Sequence, residues 1–133
     1  MNIQQTNKMP EIYCAISISF EKGIDASFIS DRLKQLGIVS FEMHKPKFDS
    51  IVCVKIAIIK NEPCWYLDEA LAKMFLQVDS CLAEIKEIIN KYHGETWIDV
   101  AFYQHGTPPA LTFSGENMKK IRYLEADISI DAY

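Results

Sequence analysis

Between residues 67 and 92, apolar side chains recur at steps of three and four: Leu67, Leu71, Met74, Val78, Leu82, Ile85, Ile89 and Tyr92. That period puts them on one face of a helix, and a helix with a single apolar stripe has to cover something. The stretch is longer than most globular helices, and "QVDSC" offers Asp79 or Ser80 as the cap of a second one. Gly94 is expected to end it, with Trp65 and Tyr66 packing on its first turn.

The surface to be covered is written in period two. In "IYCAISISF", Ile12, Cys14, Ile16, Ile18 and Phe20 share one parity; in "TWIDVAFYQ", Ile98, Val100 and Phe102 do, with Trp97, Asp99, Ala101 and Tyr103 on the other. Such alternation predicts strands with one buried face. "VSFEM" reads as a short strand with Val39, Phe41 and Met43 inward, stopped by Pro46. "KPKFDS" then turns the chain into "IVCVKIAII", apolar on both parities apart from Lys55, as a strand near the middle of a sheet would be. A helix carrying Phe28, Ile29, Leu33 and Leu36, capped by Asp25 and stopped by Gly37, lies between the first two strands. "HGTPPALTF" is a loop. Ser114 caps a short helix bearing Met118 and Ile121, and "YLEADISIDAY" alternates as a final strand.

The order β-α-β-β-α-β followed by α-β predicts an α+β domain. Its expected form is a ferredoxin-like sandwich extended by the last helix and strand, with a single layer of helices on a mainly antiparallel sheet. Residues 1–133 read as one domain, with 1–10 as a polar tail and no internal repeat.

Composition narrows the function classes. A net charge of -4 disfavours non-specific nucleic-acid binding, which depends on clustered Lys and Arg. "MNIQQTNKMP" lacks the apolar stretch of a secretory signal, and no apolar run approaches the roughly 18 residues of a membrane span. The expected location is the cytoplasm. Cys14, Cys53, Cys64 and Cys81 are spread without a C-x-x-C, so reduced, mostly buried thiols are expected rather than zinc ligands or disulfides.

No catalytic motif stands out: there is no G-x-G-x-x-G, P-loop, H-E-x-x-H, G-x-S-x-G or EF-hand loop. His93 belongs at a helix C-terminus, where a cation is favoured, whereas His44 falls on an edge strand and His105 in a loop. Asp127 and Asp131, four residues apart on a strand, are too far apart for one metal ion; Glu125 and Asp127 are closer, and Asp99 joins them if its strand is a neighbour. Tyr13, Trp97, Asp99, Tyr103, Glu125, Asp127, Asp131 and Tyr133 would share a face that no helix covers. Aromatics among acids suit a protein interface, and a single Lys suits RNA poorly.

The stretch "LTFSGENMKKIRYLEADISIDAY" resembles the ending of the bacterial domain-of-unknown-function 4279 family, with Ile128, Ile130, Asp131 and Tyr133 in matching places. "LKQLGI" and the long helical segment are similar to earlier parts of that family, but "VSFEMHKPKFDSIVCVKIAII" lacks its usual Trp and Lys-Gly pair. The family has no agreed catalytic residues to carry over, and no cofactor is expected. Some relatives look like immunity proteins, which implies a basic toxin protein as partner. The leading expectation is therefore a non-catalytic binding protein that neutralises a toxin domain, with no nucleic acid or membrane partner and room for a homo-oligomer. A small-molecule-sensing or assembly module, or an enzyme using Asp99, Glu125 or Asp127, are the alternatives.

Overall fold

The computed structural model describes residues 9–21, 23–38, 40–44, 52–104 and 106–133. The expected tail up to residue 8, Val39, the turn at 45–50 with Pro46, and His105 lie outside the described residues. Strands β1 (Glu11–Phe20), β2 (Phe41–His44), β3 (Val52–Pro63), β4 (Glu95–Tyr103) and β5 (Asp127–Ala132) form one mixed sheet in the order β2-β3-β1-β4-β5. The first three neighbouring pairs are antiparallel and β4-β5 is parallel. Helices α1 (Ala26–Gln35), α2 (Leu67–Leu76), α3 (Leu82–Lys91) and α4 (Gly115–Tyr123) make a single layer on one face, so the chain is α+β as expected. Among the described residues no helix is long and apolar enough to cross a membrane.

The inward parity of β1 carries the core. Ile12, Cys14, Ile16, Ile18 and Phe20 are buried beneath Leu67, Leu71, Met74 and Phe75 of α2, Ile85 and Ile89 of α3, and Ile29 and Leu33 of α1. The long helical stretch does break at "QVDSC". Neither Asp79 nor Ser80 caps the second helix: a short 3-10 turn, Asp79–Cys81, intervenes, and the α3 cap position is Cys81. Asp79 instead pairs with Lys120 of α4 at 2.9 Å.

Strand β3 has a different reason for its two apolar parities from the one expected. Ala57 (φ 56°) and Asn61 (φ 50°) adopt left-handed backbone where the β1 pairing skips from Ile56 to Ile59 and from Ile59 to Glu62. Each irregularity adds a residue to β3 and reverses which parity faces the helices. Ile56 and Ile59 are thus both opposite inward residues of β1, and Glu62 reaches Lys73 on α2. The apolar run serves one face on either side of a bulge.

The helix ends repeat one device. Gly37 (φ 84°) donates to the Lys34 carbonyl and Ile38 to that of Leu33, the paired bonds of a Schellman ending. Helix α4 ends the same way: Glu125 (φ 53°) donates to Arg122 and Ala126 to Ile121. At the end of α3, His93 (φ 53°) takes the left-handed place expected of Gly94, and Gly94 donates to Ile89 at 2.8 Å. Gly94 is needed for a separate reason. A Cβ there would lie 2.9 Å from Cγ2 of Ile18 and 3.1 Å from Cε1 of Phe20.

Helix α4 is fastened to α2 by a polar cluster. Asp68 Oδ1 accepts from the Ser114 amide and from Asn117 Nδ2, both at 2.7 Å, while the Ser114 hydroxyl caps α4 by accepting from the Asn117 amide. Asn117 is buried, and its Nδ2 also donates to the Asp68 carbonyl. The Ser114 amide, with smaller help from the Asn117 amide group, holds the Asp68 carboxyl below the usual aspartate range.

Gly94→Ala should destabilise the protein by about 1–3 kcal/mol through overpacking. Gly115→Ala, where nothing lies within 4 Å of the added Cβ, should stabilise it by about 0.5 kcal/mol; urea unfolding of both variants checks the pair. Because the folded pKa of Asp68 is lowered, its contribution is complete above the unfolded value of about 3.9 and disappears as pH falls through the folded value. Asp68→Asn should therefore be less stable than the wild type at pH 6, with the gap narrowing toward pH 2.

Candidate functional site

Strand alternation, not sequence proximity, assembles the uncovered face. Since Ser17 pairs with Trp97 and Lys55, Ala15 with Asp99, and Tyr13 with Ala101, the outward parity of β1 meets that of β3 and β4. The parallel register then sets Asp127 beside Trp97, Ser129 beside Asp99 and Asp131 beside Ala101. Glu42 of β2 stands opposite Lys55. Tyr13, Trp97, Asp99, Tyr103, Asp127 and Asp131 thus fall on one face, as anticipated from their parity.

Tyr133 joins them through backbone and ring contacts. Its amide donates to the Phe102 carbonyl and its carbonyl accepts from Gln104, and its ring stacks on Tyr103 with centroids 5.3 Å apart. Glu125 does not belong to this face. The alternation in "YLEAD" is the end of a helix rather than a strand: Leu124 caps α4, Glu125 is the left-handed residue of the Schellman turn, and β5 starts at Asp127. Its carboxylate lies 3.4 Å from Lys86 Nζ on α3, in the helical layer.

The middle of the face is organised around Lys55. Its ammonium sits 3.7 Å from Asp99 Oδ2 and 5.6 Å from the centre of the Tyr13 ring. Partial burial works against the charge, but Tyr13 and Asp99 outweigh it, and the Lys55 pKa lies above the usual lysine range. Beside this cluster a shallow hollow of about 280 Å³ is lined by Tyr13, Lys55, Asp99, Ser129 and Asp131. Glu42, which pairs with Lys60 of β3 at 3.5 Å, and Glu95, Asp127 and Asp131 add negative charge to the same face, so the surface presents acids and aromatic rings about two lysines.

Chemistry-bearing groups elsewhere are dispersed. Among the described residues, no three His, Cys, Asp or Glu side chains are placed to hold a metal ion. The cysteines are free, with Cys14, Cys64 and Cys81 buried and Cys53 partly so. Tyr66 is exposed rather than packed under α2, and its backbone bridges to Ala110.

One further group has a signal in the sequence that parity arguments passed over. Thr96 occupies the inward register of β4, ahead of Ile98 and Val100, and is 5 % exposed, with no hydrogen-bond partner for its hydroxyl among the described residues. It lines a cleft of about 390 Å³ at the end of the sheet, with Asn90, His93, Glu95, Trp97, Glu125 and Asp127 around it.

Burial, with the nearby Cys64 and Glu62 adding to it, pushes the Cys14 thiol up to about 12. Iodoacetamide at pH 8 should leave Cys14 unmodified in the native protein and label it only after unfolding, as peptide mapping would show.

No protein-family model matches the chain, and no curated protein or solved structure matches it.

Proposed function

We propose that the chain is a non-catalytic binding protein that docks a basic partner protein on the open face of its sheet. The single observation that supports this most is the composition of that face: Asp99 and Glu42 meet Lys55 and Lys60, Glu95, Asp127 and Asp131 have no ion-pair partner among the described residues, and all stand among Tyr13, Trp97 and the stacked Tyr103 and Tyr133. Acids of this kind accelerate encounter with a positively charged surface, and Tyr and Trp supply buried contact area at small entropic cost. Exposed ion pairs contribute about 0–1 kcal/mol to folding, so stability gives little reason for the pattern.

A finer reading combines this face with the family resemblance. In it, the first four strands and the helices between them are a ferredoxin-like unit, a reading favoured by the sheet order β2-β3-β1-β4 with antiparallel neighbours. Helix α4 and β5 extend that unit. The protein is then a cytoplasmic immunity protein: its acids occupy the basic groups by which a toxin domain holds its own substrate, and its aromatics bury the contact.

Co-expression with the product of each adjacent gene tests the reading. The wild type should form a complex and restore growth. The double variant Asp99→Lys, Asp131→Lys should slow association at least tenfold at low salt, whereas Lys55→Gln should leave it equal or faster. Absence of both a complex and protection would overturn it.

A further inference from the structure

The two edges of the sheet are built differently. Beyond the short β2, the free side of β3 carries the left-handed Ala57 and Asn61 with Lys60 and Pro63, and such irregularity, charge and proline keep other strands away. β5 has none of these: it is regular over Asp127–Ala132, and β4 is its one neighbour among the described residues. Tyr133 turns its amide and carbonyl to β4, donating to Phe102 and accepting from Gln104. Backbone groups alternate sides along a strand, so those of Ile128, Ile130 and Ala132 point away from the sheet, where no described residue pairs with them.

The side chains of β5 define the strand that fits. On the open face stand Asp127, Ser129 and Asp131, and among the described residues neither acid has an ion-pair partner. On the helix side Ile130 is 38 % exposed while Val100 beside it is 2 % exposed, so the apolar cover runs out at β5. An added strand with apolar residues beside Ile128 and Ile130 would extend the core, and basic residues on its other parity would answer the two acids. A second copy joined there would instead set the Asp127 and Asp131 carboxylates of the two copies alongside each other, a like-charge arrangement that destabilises a strand pair. We infer that β5 accepts a sixth strand from the basic partner, an extended segment in which Lys or Arg alternates with apolar residues. The inference deepens the docking function and rests on it for the source of the strand alone. Asp127 and Asp131 belong to the docking face as well, so one partner engages face and edge together.

Hydrogen exchange of the isotope-labelled full chain, read by NMR with and without an acetylated and amidated hexapeptide of alternating Lys and Val, tests the edge without the partner. Saturable binding should slow exchange about tenfold or more at amides 128, 130 and 132. The same peptide N-methylated along its backbone keeps its charge and loses its donors, and should bind about tenfold more weakly. The double variant Asp127→Asn, Asp131→Asn should bind the unmethylated peptide about tenfold more weakly than the wild type does. Absence of saturable binding, binding without slowed exchange, or equal affinity for the methylated peptide would each overturn the assignment. So would slow exchange of those amides in the free chain at high concentration, since a second copy would then hold the edge. If the peptide binds with slowed exchange but no adjacent-gene product forms a complex, the edge stands as a strand acceptor and the docking function fails. If such a product binds and the peptide does not, the edge assignment alone fails.

Discussion

The packing of the inward parity of β1 beneath the helices is the contact on which the other elements depend. β1 is the central strand, paired to β3 on one side and β4 on the other, and its Ile12, Ile16, Ile18 and Phe20 are almost fully buried. Each such side chain contributes about 1.5–3 kcal/mol on burial, more than an ion pair of the outer face. Because a strand has a period of two, committing one parity of β1 to the helices also commits the other parity to the opposite face. The uncovered surface is a geometric consequence of the core.

The same constraint explains where the backbone is irregular. β3 accommodates β1 through left-handed residues at Ala57 and Asn61, the first returning Ile59 to the helical face and the second turning Glu62 toward Lys73 of α2. At the helix ends, His93 and Glu125 adopt a conformation that glycine adopts more easily, and both border the cleft at the start of β4. The glycine next to His93 serves close packing against Ile18 and Phe20 instead. Steric need at one residue has displaced the conformational cost to its neighbour.

Charge is distributed in a corresponding way. Polar groups that fasten elements to one another are short-range and satisfied, as in the Asp68, Ser114 and Asn117 cluster between α2 and α4. Those of the outer face are sparse in partners: Lys55 meets Asp99 and Tyr13, while the outward acids of β5 have no ion pair among the described residues. On that face Asp99 and Glu42 are answered by Lys55 and Lys60, and the unanswered charge is concentrated along β5.

The sequence by itself determined the elements and the sidedness of the sheet, because hydrophobic period is a local property and survives in the linear order of residues. Asp25 and Ser114 as caps, Gly37 as a stop, and the outward placement of Tyr13, Trp97, Asp99, Tyr103, Asp127 and Asp131 were all legible this way. Glu125 was not, since a helix ending in a left-handed residue and an alternating strand place small, apolar and acidic residues in the same order. Nor was the reason for the doubly apolar β3, because bulges are set by pairing with β1. The neighbours of Asp99, the unpartnered hydroxyl of Thr96 and the cleft between two helix ends were decided only by the tertiary structure: they depend on strand order and parallel register, which bring together residues far apart in the chain.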